Sequence, residues 1–289
     1  MEIIMKYTNS IGVIRSLQLF FNDGDEENLA ILKEAGIETL QIKSNDLTFM
    51  TEEKAEELLK KIDGKFRVTS VWGTWLTGPS NKLWNFIDGP DALGLVPEAY
   101  RGMRLENLKK SADYATLLGV HDLATHVGFI PENPYNPLYR GLVGAIKYLA
   151  AYCQTKGLYF NFETGQETPT TLMRTFQDVE ADNLGVNLDP ANLLIYGRGN
   201  PIDALDIYGE HIRGVHIKDG EYPKGDYYKL GVERVVGEGS VNFPVFLPKL
   251  LKSGYKGDLY IEREITGPQQ LEDIKKTVKY IKKLMQEAE

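Results

Sequence analysis

The chain has 289 residues, 42% of them apolar and 26% charged, with a formal net charge of −8 and a single cysteine. Its length suits one domain with a large core, 1–289, and its acidity argues against a general positive field for nucleic acid or an anionic membrane. Cys153 has no partner for an internal disulfide, no run approaches the roughly 20 apolar residues of a membrane span, and MEIIMKYTNSIG lacks the basic start and apolar stretch of a signal peptide. A cytoplasmic protein is expected.

Along the chain, short apolar runs alternate with amphipathic ones. Ile11–Leu17 reads as a strand, DEENLAILKEAG as a helix, Ile37–Ile42 as the second strand, TEEKAEELLKKI as the next helix and Phe66–Val71 as the third strand. A long connection follows, from Gly73 to about Arg104, carrying Trp75, Trp84, Phe86 and Tyr100. The pattern resumes with the helix RLENLKKSADYATLLG, the strand Asp122–His126, and GAIKYLAAYCQTKG, a helix that places Cys153 in the core. Leu158–Glu163, Leu184–Asp189 and Ile212–Ile217 are the fifth to seventh strands. A second long connection, Asp219 to about Asn242, precedes the helix FPVFLPKLLKSG and the eighth strand, Asp258–Glu262. Gly36, Gly119, Gly157 and Gly254 stand where helix C-caps belong, just before strands. Eight strands with helical crossovers specify the α/β class and a single (β/α)8 TIM barrel. Its long loops, after the third and seventh strands, are expected over the C-terminal face, as walls or a lid for a small polar ligand.

Four of the strand-like runs end on chemistry: Glu163 in LYFNFETG, Asp189 in LGVNLDPAN, His216 in IRGVHIKDG and Glu262 in DLYIEREI. The steps between them are 26, 27 and 46 residues, against roughly 30 for one strand–helix unit. In a closed barrel such ends converge on the face where these enzymes keep their active sites. Two glutamates, an aspartate and a histidine meeting there make an oxygen and nitrogen cage for one divalent metal of the Mn, Mg or Co type, with Zn also compatible. Glu264 is a rival to Glu262, because alternation puts both on one side of a strand. His121 and His211 read as structural or surface residues.

Several segments carry a resemblance: THVGFIPENP, NFETGQET, GVNLDPANLLIYG, GVHIKDG, VGEGSVNFP and IERE, in this order. The chain resembles the sugar phosphate isomerase/epimerase family, the xylose-isomerase-like barrels that include ketose 3-epimerases, hydroxypyruvate isomerases, inosose dehydratases and AP endonucleases. The resemblance implies that Glu163, Asp189, His216 and Glu262 are the metal ligands, with Glu163 and Glu262 also the catalytic acid/base pair. His126, Lys218, Trp72 and Asn192 are the expected substrate contacts, with Asp219 orienting ligands from behind. The chain departs from the nuclease branch: Trp72 and Gly73 end the third strand where a His is expected, Asn192 follows Asp189 where the nucleases use another, and no His follows Lys218 and Asp219. One metal, not a cluster, is therefore expected.

The chemistry implied is enolisation. A proton α to a carbonyl is too weakly acidic for a free carboxylate, and a divalent cation stabilises the enediolate as it forms. One glutamate takes the proton and the other returns it to the opposite face, giving epimerisation; return to the neighbouring carbon gives isomerisation. The expected function is a metal-dependent isomerase or epimerase of a small sugar or polyol-derived carbonyl compound. The alternatives are an inosose-type dehydratase on the same site and an AP-endonuclease-like phosphodiester hydrolase. Expected partners are a small carbohydrate, with no nucleic acid and no membrane, and a homodimer or tetramer as is common in the family.

Overall fold

The computed structural model of the protein describes residues 7–21, 25–43, 46–75 and 84–288. The start of the chain and residues 76–83 of the first long connection thus lie outside the described residues. Eight parallel strands close into a barrel: β1 (Ile11–Ser16), β2 (Thr39–Lys43), β3 (Arg67–Trp72), β4 (Asp122–Thr125), β5 (Tyr159–Glu163), β6 (Leu184–Leu188), β7 (Ile212–Ile217) and, last in the chain, β10 (Leu259–Ile261). Each pairs with its neighbour in sequence, and β10 closes the ring by pairing with both β7 and β1. All eight expected strands are present within two residues of their expected ends.

Helices α1 (Asp25–Ala35), α2 (Glu52–Ile62), α4 (Glu98–Leu117), α5 (Pro137–Gln154), α6 (Pro169–Val179), α8 (Pro201–Tyr208), α9 (Phe243–Lys252) and α10 (Pro268–Glu287) occupy the crossovers. Their starts are chemically marked. Thr51, Asn136, Thr168 and Asn200 each accept a backbone N–H with the side chain, which satisfies an otherwise orphaned amide of the first turn. Apolar residues facing outward from the strands, such as Phe160, Phe162, Val186, Leu188, Val215 and Ile217, are at most 1% exposed. Each contributes about 1.5–3 kcal/mol against the helix layer. Cys153 lies in this layer on α5, fully buried, and burial pushes its thiol up to about 12, so it is inert core as expected.

The described parts of the two long connections hold regular structure. The first holds the short helix α3 (Gly89–Ala92). The second forms an antiparallel hairpin of β8 (Asp219–Glu221) and β9 (Val232–Arg234) packed on α7 (Pro190–Ile195), with Gly231 N donating to Ile195 O. Among the described residues no helix is long and apolar enough to cross a membrane.

Inside the barrel the fill is polar. Gln41 Nε2 reaches Ser70 Oγ (3.1 Å) and Asn187 Oδ1 (3.3 Å), while Asn161 and Arg213 converge on Asp122 at 2.8 and 2.6 Å. Gly214 makes room, since a Cβ there would lie 2.5 Å from Asn187 Oδ1. This polar stack is the floor on which the C-terminal strand ends rest.

Candidate metal centre

Strand parity puts Glu163 and Asn161, Asp189 and Asn187, His216 and Gly214 on inward positions, each two residues above its partner in the polar floor. At the C-terminal rim Glu163, Asp189, His216 and Glu262 each offer one ligand atom, and the four atoms lie within 4.8 Å of one another. His216 Nδ1 is 3.2 Å from Glu163 Oε1, 3.3 Å from Glu262 Oε2 and 3.7 Å from Asp189 Oδ2. All four residues are buried, the most exposed at 6%.

Local structure aims each donor. Asp189 is the N-cap of α7: its Oδ1 accepts from Asn192 N at 2.9 Å, which leaves Oδ2 buried and without a hydrogen-bond partner. His216 Nε2 lies 2.7 Å from Gln41 Oε1. Because the Gln41 amide nitrogen is spent on Ser70 and Asn187, its oxygen faces the ring and accepts, so Nε2 carries the proton. In the neutral ring Nδ1 is then the lone-pair atom. Burial opposes a charge on the ring, yet Glu163 and Glu262 hold its pKa well above the ordinary value. A positive charge, on the ring or on a bound cation, therefore belongs at this point among three carboxylates. The donor set, three carboxylates and one imidazole, suits a hard or borderline divalent ion. The residues present fit a metal.

The surrounding charges agree. Burial works against ionising Glu262, yet Lys218 and His216 hold its carboxyl well below the usual range. Burial likewise opposes the charge on Glu163, outweighed by His126 and His216. For Asp189 burial wins, pushing the carboxyl up despite Lys218.

The remaining expected residues all touch the cage. Trp72 Nε1–H donates to Glu163 Oε2. His126 Nδ1 lies 3.3 Å from the Glu163 carbonyl oxygen and its Nε2 3.5 Å from the Glu163 carboxylate Oε1. Lys218 is buried, with Nζ 3.1 Å from Glu262 Oε2, 2.9 Å from Glu264 Oε2 and 3.3 Å from Asn192 Oδ1. Glu264 thus sits outside the cage, its side chain half-exposed, as a partner of Lys218. Trp75 and Trp84 stack at 5.3 Å and Trp84 meets the His126 ring at 5.6 Å, so the tryptophans form one wall beside Glu163.

Asp219 behaves differently from the expectation. Its two oxygens accept from the amides of Gly220, Val241, Gly237 and Gly239 at 2.8–3.1 Å. It ties down the VGEGSV loop and touches no ligand among the described residues; a Cβ at Gly239 would lie 2.2 Å from Asp219 Oδ1, which explains that glycine. His211 packs on Phe176 and His121 contacts Gly157 O, both away from the cage. Sequence reasoning missed two residues. Gln41 was signalled by one amide between the apolar Leu40 and Ile42 of β2. Tyr196, buried, with its phenol pushed up to about 12 by burial, sits under Phe86 and Phe129 and within the fields of Lys218, Glu264 and Glu163.

Residues 29–284 match the xylose isomerase-like TIM barrel family, and the chain belongs to it. A xylose isomerase domain protein from Planctomyces limnophilus is 29% identical, covers 98% of both chains and superposes with a TM-score of 0.86. A xylose isomerase-like TIM barrel protein from Mycobacterium smegmatis, solved in complex with magnesium, shares the fold at 16% identity, with 97% of this chain and 98% of that one covered and a TM-score of 0.70. An inosose dehydratase from Clostridium botulinum is 30% identical over 147 residues, 46% of this chain and 48% of that protein. The chain spans about half the length of the curated relatives it matches.

Proposed function

We propose that the protein is a divalent-metal-dependent isomerase or epimerase acting on a carbonyl carbon flanked by hydroxyls, in a sugar or polyol-derived substrate. The observation that carries this reading is the buried convergence of His216, Asp189, Glu163 and Glu262, each of which offers one ligand atom within 4.8 Å of the others. Mn, Mg, Co and Zn all suit this donor set. A cation held there supplies Lewis-acid polarisation of the substrate carbonyl. Asp189 and His216 are fixed by a helix cap and by Gln41, so they act as ligands only. Glu163 and Glu262 come from opposite sides of the cage, on β5 and just past β10, and serve as the acid/base pair. Lys218, held between Glu262 and Glu264, donates to a substrate oxygen, with Asn192 keeping its head in place; His126 and Trp72 bound the substrate on the Glu163 side.

A dehydratase is the second reading, favoured by the 30% identical inosose dehydratase. It uses the same proton abstraction and then expels a β-hydroxyl, so a keto-deoxy product distinguishes it. Phosphodiester hydrolysis is disfavoured by Trp72, Gly73 and Asn192 at positions where a metal cluster needs histidines.

The test is elemental analysis of wild type and of the Glu163→Gln, Glu262→Gln double variant after manganese reconstitution, followed by ketose screening in deuterated water. About one ion per chain in the wild type, lost in the variant, with deuterium entering next to a carbonyl, is expected. A wild type that holds no metal refutes the proposal.

A further inference from the structure

The loop that follows β5 carries a buried amide to which the acid/base chemistry gives no task. Gln166 is 1% exposed, and its side chain stands against Tyr196, the C-cap of α7. Burial is what raises the Tyr196 phenol, and the Gln166 amide pulls the other way, as an N–H donor to the phenol oxygen does. The amide nitrogen is thereby used, and Gln166 Oε1 has no hydrogen-bond partner among the described residues. A buried acceptor left unmade in this way lowers stability.

The pair borders the cage. Gly165, between Thr164 and Gln166, lies so close to α7 that a Cβ there would meet Asn192 Cβ at 3.0 Å and Tyr196 Cδ2 at 3.5 Å. Asn192 Oδ1 in turn accepts from Lys218 Nζ at 3.3 Å. The Tyr196 phenol lies within the fields of Lys218, Glu264 and Glu163. Two aromatic residues of the first long connection join the two sides of the site: Trp84 meets the His126 ring at 5.6 Å, and Phe86 meets the Tyr196 ring at 6.3 Å. Phe129 packs on the same Tyr196 ring at 5.9 Å, so two neighbours hold that ring in place.

We propose that Gln166 and Tyr196 are substrate-contact residues that read one hydroxyl remote from the reacting carbonyl, Gln166 Oε1 accepting a hydrogen bond from it and the Tyr196 O–H donating to it. The inference rests on the reading of the cage as a metal-dependent centre for sugars or polyol-derived carbonyl compounds, and it adds the residues that select among them. A hydroxyl is donor and acceptor at once, and an acceptor beside a donor matches it. A site built to bond a hydroxyl rejects the analogue that lacks one, because its own buried groups are then left unpaired.

Two measurements on manganese-loaded protein test this. The first needs no ligand. Gln166→Leu combined with Tyr196→Phe replaces both polar groups by apolar ones of similar shape, a change that is nearly neutral or stabilising when the two bond only to each other. The urea midpoint of this double variant should equal or exceed that of wild type, with metal content unchanged. A lower midpoint shows that the pair holds the fold and overturns the proposal. The second measurement titrates wild type, Gln166→Leu and Tyr196→Phe with D-fructose and its 4-, 5- and 6-deoxy analogues. At least one analogue should bind wild type about tenfold more weakly than fructose, and each variant should reduce that ratio to less than about threefold. No discrimination by wild type, discrimination that survives in either variant, or no binding of fructose at about 100 mM overturns the proposal. If wild type holds no metal, the enolisation reading fails, and the same titrations on metal-free protein still decide the role of the pair.

Discussion

Replacing Gln41 by Met removes one acceptor from beneath the metal cage while nearly keeping the side chain's volume. In the wild type Gln41 Oε1 takes the His216 Nε2 proton at 2.7 Å and so reserves Nδ1 for the cage. Without that acceptor, a buried Nε2–H costs about 1–3 kcal/mol. The imidazole avoids this by moving the proton to Nδ1, where Glu163 Oε1 and Glu262 Oε2 wait at 3.2 and 3.3 Å. Metal-free protein therefore loses little stability through His216, but the neutral tautomer with a bare Nδ1, the form a metal ion takes, is no longer the favoured one. Partners that orient a ligating histidine are worth 10–100-fold in affinity, or about 1.4–2.7 kcal/mol. Competition against a chromophoric chelator measures this directly. Gln41→Met should bind manganese 10–100-fold more weakly than wild type, whereas Gln41→Glu, which keeps an acceptor for Nε2–H, should stay within about threefold or bind more tightly. A Met variant with wild-type affinity, or a Glu variant as weak as the Met one, refutes the tautomer argument.

Two other buried carboxyls give predictions of stability. Glu167 is buried, and burial pushes its carboxyl up from 4.5 to about 8 against the pull of nearby backbone amides and of Arg198. Between those values the folded state holds a proton that the unfolded chain has released, so its contribution falls as pH rises through that window. Glu167→Gln should accordingly gain about 1 kcal/mol over wild type at pH 5 and about 4 kcal/mol at pH 8 in urea unfolding; a gain that does not change with pH counts against the assignment. Asp219→Ala strands the amides of Gly220, Gly237, Gly239 and Val241 and should cost about 3 kcal/mol or more, with Asp219→Asn intermediate. Equal denaturation midpoints for wild type and the alanine variant would show that the loop does not depend on it.

The barrel was legible because its signal is repeated. Each strand is a short apolar run closed by turn chemistry, and eight of them leave little freedom in topology. The cage residues could be picked out because strand parity converts sequence position into direction: a charged residue ending an apolar strand has nowhere to point but the rim. That rule works for Glu163, His216 and Glu262. For Asp189 it understates the case, since the carboxylate also caps α7. Asp219 shows where the reasoning fails. Its neighbours in sequence are His216 and Lys218, but its carboxylate turns to a loop twenty residues further on, and no local pattern announces a partner made of backbone amides. Tyr196 and Gln41 went unread for the same reason: their partners are contributed across the barrel or from another connection.

Charge balance explains why so acidic a centre can be buried. Three carboxylates within a few ångströms would each be driven toward protonation by burial, as Asp189 is. Lys218 opposes this at Glu262, and it is itself kept charged: burial lowers its pKa, but Glu262, Glu264 and Asp189 together hold it well above 10.5. Glu264, standing outside the cage at 2.9 Å, gives the ammonium a partner that no metal will claim. A divalent ion held by Glu262 and Asp189, as proposed, would take part of their field from Lys218 but leave that of Glu264, keeping the lysine a charged donor at the edge of the site. The IERE motif supplies both members of this arrangement, two residues apart on one side of the chain: Glu262 for the proposed metal and Glu264 for the lysine.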